Sequence, residues 1–243
     1  MKENIYTIPV YDGFNEECEC PFCAMKNKIE KDTINFILGP SYMEPDFREQ
    51  TNNLGFCNNH FRLLYLEKNR LGLALISHTH MQKVKKDLTN ILEKQTIHSK
   101  KGIFKNKKLN TENPLGNYIK SFNDNCYICD KINTSIERYI DTFFYLWKKD
   151  ENLRNLVKNG KGFCINHFYM LFETSSLKLN DKDLMEFLNI LVPIQLENLE
   201  RIEKDLEWFT CKFDYRFKDE PWKNSKDALP RSIIKLSSEN IDK

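Results

Sequence analysis

Glycine and proline are scarce in this chain, eight of each in 243 residues, which excludes a collagen-like or linker-dominated polymer. Long apolar runs are missing as well. The longest of note, Leu71 to Ile76, has six residues, against the roughly 18–20 that a membrane helix needs. No membrane span is therefore expected. The opening MKENIYTIPVYDGFNEE has no apolar core of signal-peptide length and carries acids where a transit peptide would not, which points to a cytoplasmic protein. Charge of one sign is lacking too: 37 Lys and Arg face 35 Asp and Glu, a formal net charge of +2. A dedicated nucleic-acid binder shows a strong basic excess or a basic face. Only the cluster Lys100, Lys101, Lys105, Lys107 and Lys108 resembles one, and a lysine run in a connector is normally just solvated. Nor is there a phosphate-binding glycine loop, a GxSxG elbow or an HExxH helix. An interaction protein is expected in preference to an enzyme.

What the chain does contain is eight cysteines, unexpected where a reducing compartment disfavours disulfides. Their spacing accounts for them. Cys20-Pro-Phe-Cys23 is followed by Gly55-Phe56-Cys57-Asn58-Asn59-His60, and Cys126-Tyr-Ile-Cys129 by Gly162-Phe163-Cys164-Ile165-Asn166-His167. Both copies read CxxC, then GFCxNHF, with 33 or 34 residues between the second and third cysteines. The chain is an internal duplication. Each copy offers three thiols and one imidazole, the donor set of a closed tetrahedral zinc site. The expected ligands are Cys20, Cys23, Cys57 and His60 in one repeat and Cys126, Cys129, Cys164 and His167 in the other, with two zinc ions per chain. An iron–sulfur cluster is the alternative, although the usual ferredoxin spacings are absent. Four protein ligands leave no open coordination position, so these sites read as fasteners. Filling both removes six thiol protons and adds about four positive charges, leaving the chain near neutral.

Helical periodicity surrounds the motifs. Ile132, Ile136, Tyr139, Ile140 and Phe143 recur at three- and four-residue steps, as one buried helix face requires. Long amphipathic helices are expected near Leu71 to Lys94 and Asp183 to Phe209. Along the second, Leu188, Val192, Gln195, Leu199, Ile202, Leu206 and Phe209 approach a heptad seam, suited to packing the repeats or to a homodimer. A short strand is expected at Tyr6 to Val10 and a last helix near Ser232 to Ser237. The fold class is thus mainly α: two pseudo-repeats, each pinned by its own Cys3His site and closed by a long helix. The expected divisions are 1–94 for the first repeat, 95–125 for a basic connector, 126–210 for the second repeat and 211–243 for an irregular tail.

That tail crowds aromatics with both charge signs, and Arg216, Trp222, Lys226 and Arg231 could line a polar cleft for a small anion. Such a cleft would serve an enzyme or a sensor. A surface clamp of salt bridges anchored by Trp222 is the simpler alternative. Cys18 has no counterpart in the second copy, where Asp124 stands, and reads as an inert surface thiol, the alternative being a reactive thiol beside the metal. Cys211 reads as helix-end packing. His78 and His80, two apart on a helix, cannot chelate together.

At CPFC…GFCNNHF, at LGLAL, and along KFDYRFKDEPWKNSKDALPRS, the sequence resembles the bacterial domain-of-unknown-function family 6062, over nearly the full chain. The resemblance carries no activity. It implies that the eight Cys and His residues form a shared framework and that the tail is a family feature.

Overall fold

In the computed structural model, which describes residues 2–99 and 113–239, every regular element among the described residues is helical. The helices are α1 (Lys2–Asn15), α2 (Pro21–Leu38), α3 (Pro45–Leu54), α4 (Asn58–Leu66), α5 (Arg70–Ser99), α6 (Pro114–Asp124), α7 (Tyr127–Lys149), α8 (Glu151–Lys158), α9 (Ile165–Lys178), α10 (Asp181–Cys211) and α11 (Ala228–Ser237). Single 3-10 turns occupy Pro40–Met43 and Tyr215–Phe217. The mainly α fold class holds. The chain divides into two compact units, Met1–Lys28 with Ser135–Lys243, and Ile29–Thr134. Both divisions fall inside helices, α2 and α7.

The first unit is built on aromatic packing. Phe14 of α1 stacks on Phe143 of α7 with centroids 5.5 Å apart, and Phe22 meets Phe143 edge-on at 6.0 Å. Trp147 and Phe187 continue the cluster at 4.9 Å. Each such pair adds about 0.5–1.5 kcal/mol beyond area burial. Of the expected α7 face, Ile132, Ile136, Ile140 and Phe143 are buried and Tyr139 is half-buried.

The second unit centres on α3 against α5. Phe47 and Thr51 are buried on α3, and Ile76 on α5. Arg48 ties the two together, donating to the Leu75 carbonyl at 2.8 Å and to Thr79 Oγ1 at 2.9 Å.

Three expectations change. The strand at Tyr6 to Val10 is instead the middle of α1. Val10 and Phe14, four apart, both enter the core, and that helical burial outweighs the β-branched residues' local preference. The buried stripe of α10 runs through Phe187, Leu191, Gln195 and Ile202. Its first half is therefore one residue off the heptad reading, because the stripe steps by four onto the Phe143–Trp147 cluster. Part of the expected connector is also regular. Asn113 caps α6 by accepting from Leu115 N at 3.1 Å, and Pro114 occupies its first turn, where a missing N–H costs nothing. The lysines at 100, 101, 105, 107 and 108 lie outside the described residues.

Candidate metal centres

All four motifs use one local device. Cys57 and Cys164 are the N-caps of α4 and α9, each in extended conformation. Cys20 and Cys126 stand directly before α2 and α7, their carbonyls accepting from Ala24 and Asp130 at 3.1 and 3.0 Å. The second ligand of each motif lies three residues on, in the first helical turn. Spacing i, i+3 thus aims both donors past a helix N-terminus, where the dipole favours thiolate.

The glycine of each GFC turn is also explained. Gly55 and Gly162 have φ of 61° and 71°, a region that a Cβ disfavours. A Cβ on Gly55 would meet His80 Nε2 at 2.7 Å, and one on Gly162 would meet Gln195 Oε1 at 3.1 Å. Gln195 clamps its turn by accepting from Phe163 N and donating to Phe163 O, both at 2.9 Å. His80, from α5, faces the equivalent turn and bonds the Asn52 carbonyl at 2.9 Å.

The eight residues gather into two groups of four, and the pairing is crossed. Cys20 and Cys23 of the first copy join Cys164 and His167 of the second, whereas Cys57 and His60 join Cys126 and Cys129. The expectation that each repeat closes its own site is corrected: CxxC of one copy faces CxxH of the other. The physical reason is which helix ends meet, α2 with α9 and α4 with α7. The resulting closure is long, 144 residues from Cys23 to His167. Relative to a gap of 33 residues, that is two doublings of loop length, an added cost of only about 1.2 kcal/mol.

Within the first cluster, His167 Nδ1 lies 3.5, 3.4 and 3.0 Å from the sulfurs of Cys20, Cys23 and Cys164. Within the second, His60 Nδ1 lies 3.1, 3.2 and 3.3 Å from those of Cys57, Cys126 and Cys129. Cys57 and Cys129 sulfurs are 3.8 Å apart. A tetrahedral ion with metal–sulfur bonds of about 2.3 Å has sulfur–sulfur edges of about 3.8 Å. The donor set and its spacing fit such an ion.

Outer contacts differ between the clusters. His60 Nε2 is 3.2 Å from Glu30 Oε1, an arrangement that holds the ring so that Nδ1 stays free for a metal. His167 instead packs on Phe22, centroids 5.6 Å apart. Ser238 Oγ donates to Cys164 Sγ at 3.0 Å and accepts from Asn166 Nδ2 at 3.0 Å. Beside this cluster, fully buried Lys235 donates to the Glu19 carbonyl at 2.6 Å and to the Lys161 carbonyl.

Crowded thiols titrate apart. Burial, then the Cys164 sulfur, pushes Cys20 up to about 12, and Cys23 and Cys129 are also raised. Burial opposes ionisation of Cys126, yet the His60 hydrogen bond, the Cys129 and Cys57 backbone amides and the His60 charge together draw the thiol down to about 6. Burial likewise opposes charge on His60, but its bonds to Cys126 and Glu30 carry it up to about 10. Three thiolates in one buried group need a cation between them.

The whole chain, residues 1–243, matches the model of a family of unknown function, DUF6062. The chain belongs to this family. No curated protein and no solved structure matches it. Membership in DUF6062 covers both clusters and the tail.

The remaining expected residues separate. Lys226 and Arg231 line one cleft. Arg216 is exposed and pairs with Asp214 at 2.6 Å. Trp222 packs on Phe209 at 5.9 Å, with the Lys212 ammonium 5.4 Å from its ring. Cys18 is half-buried, and burial followed by the Glu16 carboxylate pushes its thiol up to about 11. His78 is exposed on α5, whereas His80 is buried. Glu30, Ser238 and Lys235 were not singled out by spacing. Glu30 lies seven residues after Cys23, on the same helix face, which is the one signal that could have marked it.

Proposed function

We propose that this protein is a cytoplasmic zinc protein whose two Cys3His sites are structural, and that it works by binding a partner protein or a second copy of itself. The observation that carries this reading is the closure of each donor set: three sulfurs around one Nδ1, on two helix N-termini, with no fifth position left for substrate. Zinc suits a mixed sulfur and nitrogen tetrahedron without redox chemistry. All eight cysteines are free, in keeping with a reducing compartment. No described helix is long and apolar enough to cross a membrane. The interaction role is supported by exposed Ile165, Tyr169 and Phe172 on one face of α9. Elemental analysis and a visible spectrum of anaerobically purified protein test it. Two zinc per chain and no colour are expected, falling to one zinc in Cys164→Ser. Iron with a brown absorbance would replace the fastener by redox chemistry.

A further inference from the structure

A cleft of about 640 Å³ opens in the first unit between the α10 surface, the Gly160 turn and the start of α11. It is polar, and its charges are unevenly matched. Four carboxylates line it, and each has a cationic partner. Glu17 pairs with Lys161 at 3.2 Å, Glu19 with Arg201 at 2.6 Å, and Asp205 and Asp227 with Arg231 at 3.0 and 2.9 Å. Two lining cations, Lys223 and Lys226, have no carboxylate partner among the described residues. Lys235 adds a buried positive charge behind Glu19, its Nζ 3.5 Å from Oε2.

The unpaired lysines stand on a wall that the chain builds with care. Lys223 has φ of 53°, a conformation unfavourable to a residue with a Cβ and concentrated at functional sites. Its ammonium is seated 3.6 Å above the Trp208 ring. Arg231 is held between Asp205 and Asp227 and lies 3.9 Å from Glu19 Oε1, with its Nε buried and without a hydrogen-bond partner.

We propose that this cleft binds a small oxyanion of charge −2, a phosphate or phosphate monoester, whose charge is taken by Lys223 and Lys226. Two ammonium groups suit a compact phosphoryl group, which accepts from several donors at once. Five lining cations, Lys161, Arg201, Lys223, Lys226 and Arg231, outnumber the four carboxylates, so the wall is net positive. The volume leaves room for an organic group on the phosphate. The site is distinct from both cysteine clusters and does not depend on which metal they hold.

Calorimetric titration of the full-length, metal-containing protein with inorganic phosphate and with glycerol phosphate tests the proposal at low ionic strength. Saturable one-site binding with Kd below about 1 mM is expected. Lys223→Ala/Lys226→Ala should weaken it at least about tenfold, with metal content unchanged and only a small fall in Tm from the lost Lys223–Trp208 contact. Tighter binding of the monoester assigns the ligand to an organic phosphate; equal binding assigns it to phosphate itself. Lys85→Ala/Lys86→Ala, an exposed pair on α5, should leave Kd unaltered. The proposal is overturned if neither probe saturates, if the cleft pair has no effect, or if the α5 pair weakens binding equally.

Discussion

The two cysteine clusters share a motif and differ in everything around it. At Cys20, Cys23, Cys164 and His167 all four ligands are buried, whereas Cys57 and Cys129 leave the other cluster half-open. The first is supported by a hydroxyl on a sulfur and an aromatic ring on the imidazole; the second by a carboxylate on the imidazole. The inner donors, which are local in sequence, thus recur in both motif sets. Outer support was drawn separately in each case from whatever segment passes by, the α11 end for one and α2 for the other.

Crossed pairing is the part of this comparison most open to a decisive test. Cys126→Ser with Cys164→Ser removes two ligands from one repeat but one from each cluster, so zinc should fall from two to none. Cys20→Ser with Cys164→Ser touches both repeats but a single cluster, so one zinc should remain. Pairing within repeats gives the opposite result. The effect is the largest available here. Structural zinc contributes on the order of 10–16 kcal/mol in small peptides, comparable with the whole stability of a domain, about 5–15 kcal/mol. The first double variant should lose its far-ultraviolet helical signal, and the second should keep part of it.

Next in size is the contrast between the two GFC turns. Alanine at either glycine must adopt a positive φ, costing about 1–3 kcal/mol. Gly55→Ala also drives a Cβ into the His80 ring at 2.7 Å, and that ring is fixed by the Asn52 carbonyl and stacked on Phe122, centroids 5.8 Å apart. Overpacking of this kind adds about 1–3 kcal/mol. Gly162→Ala meets only a side-chain oxygen at 3.1 Å. Denaturant unfolding should therefore rank Gly55→Ala as the more damaging. Equal losses would mean that backbone strain alone decides both positions.

Much of this was legible in the sequence, and the division follows range. A pair of donors three apart before a helix, a glycine ahead of the second pair and a periodic face on α7 are local features. The structure keeps each of them. Which helix ends meet is not local. CxxC of one copy is chemically as good a partner for either CxxH, and only the packing of Phe14, Phe22, Phe143 and Phe163 in one unit and Phe47 with Tyr127 in the other selects the crossed arrangement. Asn113-Pro114 shows the same ambiguity at short range, since one dipeptide serves as a turn or as a cap with its first helical residue. Ser238 lies 74 residues from Cys164, and nothing in its neighbours announces a sulfur contact.

The outer contacts give the smallest effects and the finest discrimination. Glu30→Gln keeps an acceptor opposite His60 Nε2 but removes its charge. Loss of an outer partner of a metal-bound histidine typically weakens metal binding about 10–100-fold. Ser238→Ala removes one neutral donor from Cys164 Sγ, worth about 1 kcal/mol or roughly fivefold in affinity. Competition with a chromophoric chelator, read as two release steps, should show Glu30→Gln weakening only the step assigned to the Cys57 cluster. Ser238→Ala should move only the other step, and by less. Since the two outer partners differ in charge, raising salt should narrow the gap between them only as far as the exposed edge of the Cys57 cluster lets ions screen Glu30. A shift of both steps by either variant would show that the clusters share one cooperative unit and are not independently supported.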